Sequence, residues 1–273
     1  MIAAALLPLL LASDAVGLLA EGDALYARRA EGATGGRAQP GPADQAIAAY
    51  RRAVASEPES LAARGRLVRA LFFRGLFCGA SPEERKSLID EAKTVGDDGM
   101  RRLDARVGKV SGRARVEALR RVPDAAAMHF WTAVAWGEWA VLRGKLTAAK
   151  QGAASRIRDL AQAVVDLDPA LEQGGGYRVL GRLHDRSPKI IFITGWVSHE
   201  KSVVYLRQAL AMGPENTVNL VFLAEAILDH DRAHRDEARA LLERCAAATP
   251  RPEYLVEDAH YVEVSRRLLA QMK

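Results

Sequence analysis

One spacing recurs four times in this chain and constrains its fold more than any other feature. Residues at relative positions 0, +4 and +7 are small or apolar, and proline follows at +12. The four instances are Ala46, Tyr50, Ala53 and Pro58; Ile157, Ala161, Val164 and Pro169; Ser202, Leu206, Ala209 and Pro214; and Ala238, Leu242, Cys245 and Pro250. Positions 0, +4 and +7 share one face of an α-helix, so each instance predicts a helix that offers a narrow stripe to a neighbour. Small residues in the stripe let that neighbour approach closely. The proline ends the helix because it cannot continue the hydrogen-bond ladder, and Glu57-Pro58 and Asp168-Pro169 turn the chain sharply.

This pattern resembles the second helix of a tetratricopeptide repeat, whose first helix carries a bulky residue, then Leu-Gly, then a ring. Tyr177, Leu180, Gly181 and His184 reproduce the first-helix spacing, and Trp136-Gly137 is a second bulky-Gly pair. Gly22, Leu25 and Tyr26 read as the first helix of the opening repeat, and the insertion GATGGRAQPGP separates them from Ala43. Leu61 to Phe77 and Pro82 to Leu103 form a degenerate pair without the closing proline. Five helix pairs are therefore expected, at roughly 14–57, 60–103, 124–168, 174–213 and 216–249. Tyr254 to Met272 is expected to cap the array with a charged outer face made by Glu253, Glu257, Asp258, Glu263, Arg266 and Arg267, because a stack of repeats otherwise ends on an open apolar face. The predicted fold is an all-α, tetratricopeptide-like right-handed α-solenoid forming a single domain over residues 16–273. Composition agrees: 49% hydrophobic, 27% charged and 6% aromatic residues exclude disordered, collagen-like and disulfide-rich classes, and the apolar content favours helix over strand.

Two stretches stand apart from the repeats. Ile2 to Ala12, IAAALLPLLLA, is uncharged and resembles the apolar core of a secretory signal peptide over residues 1–15, with cleavage after Ala15. It is too short to span a bilayer, so export to the periplasm is expected, with a cytoplasmic location as the alternative. The second stretch holds the charge. Lys and Arg number 39 against 34 Asp and Glu, and Arg101, Arg102, Arg106, Lys109, Arg113, Arg115, Arg120 and Arg121 lie together with only Asp104 and Glu117 among them. No aromatic residue interleaves this tract, and Gly108 and Gly112 interrupt any recognition helix, so it reads as a solvated insertion and no nucleic-acid partner is expected. An anionic partner such as a lipid surface is the lesser reading.

Catalysis finds little support in the residues. No GxSxG occurs, and Gly174-Gly175-Gly176 lacks the Gly-Lys-Ser/Thr of a phosphate loop, so it reads as a sharp turn between helices. His230 and His234 stand four apart beside Asp229, Asp231 and Asp236, but a zinc site needs further ligands, and a solvated turn is expected instead of a metal. His129, His184, His199 and His260 are scattered, with no carboxylate partner apparent in the sequence. Cys78 and Cys245 fall in no ligand spacing, and Cys245 is expected to be an inert packed thiol. No catalytic residue, metal or cofactor is therefore expected. The candidates for ligand or partner binding are the four tryptophans, Trp131, Trp136, Trp139 and Trp196, together with Tyr177 and Arg178. Trp136 and Trp139 occupy adjoining helical positions, and packing between helix pairs is the competing reading.

The central third carries more than repeat spacing. MHFWTAVAWGEWAVLRGK (Met128 to Lys145), VVDLDPALEQGGGYRVLGRLHDRSP (Val164 to Pro188) and SHEKSVVYLRQALAMGPEN (Ser198 to Asn216) combine a Trp-Gly-x-Trp helix, a Gly-rich turn into an x-Leu-Gly helix, and a helix ending in proline. In that order they resemble the TatT family, periplasmic tetratricopeptide-type proteins associated with tripartite ATP-independent periplasmic (TRAP) transporters. The resemblance implies a non-catalytic component that binds a periplasmic solute-binding protein, holds a small hydrophobic ligand and has the capacity to form a homo-oligomer. A cytosolic scaffold, resembling a co-chaperone and binding peptide segments, is the alternative.

Overall fold

The computed structural model describes residues 16–189 and 194–272, so the expected signal segment lies outside the described residues. Every regular element among them is helical: α1 (16–27), α2 (Pro40–Ser56), α3 (Leu61–Phe77), α4 (Pro82–Val107), α5 (Gly112–Arg120), α6 (Ala125–Arg143), α7 (Lys145–Lys150), α8 (Ala153–Leu167), α9 (Gly175–Arg186), α10 (His199–Met212), α11 (Thr217–His230), α12 (Arg235–Ala246) and α13 (Leu255–Gln271). The predicted pairs are α1 with α2, α3 with α4, α6 with α8, α9 with α10 and α11 with α12. The short helices α5 and α7 are additions to the repeat pattern. The chain divides into two compact units between Ala135 and Trp136, part of the way along α6.

In the first unit the α2 stripe is buried, with Ala46, Tyr50 and Ala53 each at most 1% exposed. Gly22 of α1 lies against the Tyr50 ring where no side chain would fit, and the Tyr50 hydroxyl donates to Asp23 at 2.8 Å. Burial, reinforced by that carboxylate, holds the phenol far above its ordinary pKa. The segment predicted as a pure insertion already contributes to α2, which starts at Pro40 because proline's fixed φ suits a first helical position. Before it, Thr34 and Arg37 bridge, and the Ala38 N–H donates to the Phe77 carbonyl at 2.8 Å, pinning the segment to the end of α3.

Helix α4 opens on a complete capping box between Ser81 and Glu84. Its Gly96 and Gly99 admit Thr132 and Met128 of α6; a Cβ at Gly99 would stand 2.5 Å from the Met128 sulfur. Buried Arg64 pairs with Asp98 at 2.8 Å, and buried Arg74 ties α3 to Asp44 of α2 and Glu84 of α4. Burial pushes the Asp98 carboxyl up, but Arg102 and Arg64 outweigh it and hold it below its ordinary range. The basic tract is more ordered than a solvated insertion requires. Arg101, Arg102 and Arg106 extend α4 to Val107, Gly108 at φ 76° ends it, and a separate α5 carries Arg113, Arg115 and Arg120.

In the second unit the stripes of α8, α10 and α12 are likewise buried, and α9 fits between α8 and α10 through its glycines. A Cβ at Gly181 would meet Leu206 at 2.5 Å, and one at Gly176 would crowd Val165, Ala161 and Val164 at 3.0–3.1 Å. Leu206, Leu220, Leu223, Ile227, Leu242 and Cys245 share one core cluster. Both cysteines are buried and free, and burial pushes the Cys245 thiol up. The terminal helix α13 corrects one expectation. Asp258 does not belong to a charged outer face: it is 1% exposed, accepts from Thr217 at 2.7 Å and is gripped by Arg251 at 2.8 Å. A buried carboxylate persists only with such partners.

Candidate functional site

Arg178, Arg182 and Arg186 recur every four residues along α9 and so share one face. That face meets α11. Arg178 donates to Asn219 at 2.9 Å, Arg182 to Glu225 at 2.7 Å, and Arg186 to both Glu225 and Asp229 at 3.1 Å. The Arg182 guanidinium also lies 4.1 Å above the Phe222 ring, and Phe222 meets Tyr261 of α13 edge-on at 5.8 Å. Burial pushes the Tyr261 phenol up to about 12, with Arg182 and Arg178 pulling against it and Glu225 and Glu138 adding to it. The result is a ladder of cations and carboxylates flanked by rings. Arg182 and Glu225 are partly buried, whereas Arg186 and Asp229 are each close to half exposed.

One end of the ladder is braced under strain. Glu172, Gln173 and Gly174 are three consecutive left-handed residues, with φ of 49°, 56° and 83°, a conformation that disfavours the first two. Their neighbours hold them there. Arg178 donates to the Glu172 carbonyl, Asn219 to the Gln173 carbonyl, and Asn216 and Arg251 to the Gln173 side chain. The Asn219 amide also reaches the Ala209 and Gly213 carbonyls at the end of α10. Burial pulls Arg178 below the ordinary arginine range, which fits a group held inside the structure.

At the other end, the buried Asp185 carboxylate takes Arg182 and Arg186 at 2.9 and 2.8 Å and stands 3.0 Å from His230 Nε2. The His199 ring stacks on His230 at 3.8 Å. Asp185, Asp229 and His230 bring ligand atoms within 4.8 Å of one another, a donor set that suits a divalent ion. Two guanidiniums already neutralise those carboxylates, so the chemistry in place is that of an ion-pair network. The grouping also differs from the sequence pattern, because His230 ends α11 and packs on α9, while His234 lies beyond it and pairs with Asp231 at 2.8 Å.

The six sequence candidates are placed as follows. Trp131, in the first unit, packs on Phe130 and Phe72 with Arg69 5.4 Å from its ring. Trp136 and Trp139 are buried and meet edge-on at 5.5 Å. Tyr177 stacks on Tyr205, Tyr205 on His184, and His184 meets the edge of Trp196, so Tyr177 and Trp196 belong to one aromatic run, closed by Arg158 over Trp196 at 4.7 Å. Arg178 points away from that run into the ladder. Burial pushes His184 down to about 4, and its Nδ1 accepts the Ser198 N–H at 3.0 Å. Arg182, Phe222, Glu225 and Tyr261 were not singled out in the sequence. Their signal was the register between successive pairs: ladder partners stand 39 to 43 residues apart, close to the interval from Pro169 to Pro214.

Comparison with known proteins fits the fold described. No family model matches the chain, and no curated protein matches it. Among solved structures it is similar to TTC0263, a thermophilic TPR protein of Thermus thermophilus, with a TM-score of 0.55 at 17% identity over 94% of this chain and 97% of that one. The TPR2AB domain of yeast Sti1 in its pHSP90 complex also aligns, at 12% identity over 95% of this chain and 98% of that one, but its TM-score of 0.33 is too low to carry an argument. The fold is all-α and of the tetratricopeptide type. Neither likeness bears on the TatT family in particular.

Proposed function

We propose that this chain is a non-catalytic scaffold whose α9–α11–α13 face receives a segment of a partner protein. The observation that carries this reading is the ladder of partly buried Arg182 and Glu225 and half-exposed Arg186 and Asp229 beside the Phe222 and Tyr261 rings. Its cations already have carboxylate partners, so recognition works through ring contacts and exchanged hydrogen bonds rather than net charge. Aromatic residues and arginine anchor interfaces in this way.

The sequence resemblance, which extends from near Ser81 to Pro250, points to a solute-binding protein of a TRAP-type uptake system as the partner, and the apolar run at 2–12 points to the periplasm as the compartment. A hollow of about 300 Å³ lined by Leu228, Arg235, Leu268, Gln271 and Met272 is where a small hydrophobic ligand would be sought. Calorimetric titration of the purified chain with a solute-binding protein encoded beside TRAP membrane subunits in the same genome tests the reading. Saturable binding that Phe222→Ala and Arg182→Ala each weaken about tenfold is expected. Binding unaffected by either change would move the interface off this face. Binding to no solute-binding protein, with capture of cytosolic peptides instead, would remove the transport role and leave the scaffold.

A further inference from the structure

The tract from Arg101 to Arg121 sets eight cations against Asp104 and Glu117, more than the chain's whole excess of positive charge, and its second half lies on an element that the repeats do not need. Helix α5 belongs to no helix pair and buries only Leu119. The eight cations of the tract face four carboxylates. Asp98 takes Arg101 and Arg102, Glu59 takes Arg102 and Arg106, Asp104 takes Arg115, and Glu117 takes Arg120. Lys109, Arg113 and Arg121 are exposed and have no partner among the described residues. Lys109 and Arg113 flank the start of α5 and Arg121 its end, with about 13 Å of helix between them. Val110, 39% exposed, lies beside Lys109.

We infer that this edge is a docking surface for an anionic lipid bilayer. The cations are exposed and stand at the two ends of one short helix, and this suits a plane of headgroup charges. Long basic side chains and an exposed aliphatic residue together fit the bilayer interface, where the aliphatic part meets the acyl boundary and the charges stay among the headgroups. A nucleic acid fits less well. Residues 101–124 contain no ring on which a base could stack. No helix among the described residues is long and apolar enough to cross a membrane, so the association is peripheral. This inference is independent of the partner face on α9, α11 and α13.

The test is co-sedimentation of the full chain with vesicles of phosphatidylcholine alone and of phosphatidylcholine with phosphatidylglycerol. The chain is expected to bind the anionic vesicles, to ignore the neutral ones and to be released by salt. Each free cation contributes about fivefold in affinity, so the triple variant K109Q/R113Q/R121Q loses roughly a hundredfold. The variant K145Q/K150Q/K201Q removes the same charge from exposed sites in the second unit and is expected to bind as the parent does. Circular dichroism checks that both variants remain helical. Equal binding to neutral vesicles, a control variant that loses as much as the triple, or a triple that binds like the parent would each overturn the inference. Tighter binding to duplex DNA or RNA than to vesicles, lost in the same triple variant, would replace the lipid with a nucleic acid.

Discussion

The two units make the same repeat face from different materials. In the first, α3 carries Arg69, whose guanidinium lies 4.9 Å from the Tyr26 ring of α1 and 5.4 Å from the Trp131 ring of α6. In the second, α9 carries Arg182, held between the Glu225 carboxylate and the Phe222 ring of α11. Both arginines sit on the first helix of a pair and link it to other first helices. A cation held by rings relies on short-range quadrupole attraction, whereas a cation held by a carboxylate within reach of solvent is open to screening. One architecture thus supports a face indifferent to the solvent's ions and another that responds to them.

Backbone changes give the largest expected contrast. Gly174 combines φ 83° with backbone atoms of Ala209 at 2.8 and 2.9 Å from any added Cβ, whereas Gly108 has φ 76° and open space. Gly174→Ala is expected to destabilise the second unit by about 3 kcal/mol or more, through strain and overpacking together. Gly108→Ala, at φ 76° and ψ −169° in a region that only glycine adopts readily but with open space around it, is expected to cost about 1–3 kcal/mol of backbone strain in the first unit, without the overpacking. Hydrogen exchange read separately over each unit measures both, and equal losses would remove the contrast between them.

Acid acts next, through His184. Its pKa is about 4 in the fold against 6.5 in a free side chain, so the unfolded chain binds the extra proton between those values. The contribution is fully present above about pH 6.5, is lost as pH falls towards 4 and is flat below, amounting to roughly 3 kcal/mol. Exchange protection in the second unit should follow that window, and His184→Gln, which keeps an acceptor without gaining charge, should flatten it. An unchanged slope in the variant would assign the acid response to other groups.

Double-mutant cycles sharpen the comparison at its smallest scale. The Arg182–Glu225 coupling is expected near 1 kcal/mol at low salt and smaller at high salt. The Arg69–Trp131 coupling is expected at about 0.5–1 kcal/mol and unchanged by salt. The reverse salt dependence would mean that the materials of the two faces do not set their response.

The helices were legible because their cause is local. The stripe and proline at Pro58, Pro169, Pro214 and Pro250 depend on neighbours within twelve residues, and α2, α8, α10 and α12 fall where that spacing put them. The ladder was not legible from any window of that size, since each rung joins residues about one helix pair apart. Asp258 shows the same limit. Its position on the sequence pattern matched an outer face, but Arg251 and Thr217 made burial tolerable. Tyr177 and Trp196 proved linked only through Tyr205 and His184, because contact between helices is decided by which glycine, here Gly181, lets two backbones close up.

Glu225 serves two arginines one turn apart on α9, and Arg186 in turn reaches both Glu225 and Asp229. Such rungs are redundant, because the loss of one N–H···O contact leaves a neighbouring one on the same carboxylate or guanidinium. The opposite end is different: the two N–H donors of the Asn219 amide are taken up by the Gln173 and Ala209 carbonyls, with the Gly213 carbonyl sharing at 3.3 Å. Mechanically, the seam between these helices resembles a joint fastened at both ends, by Asn219 at one and by the Asp185–His230 contact at the other, with redundant rungs between them.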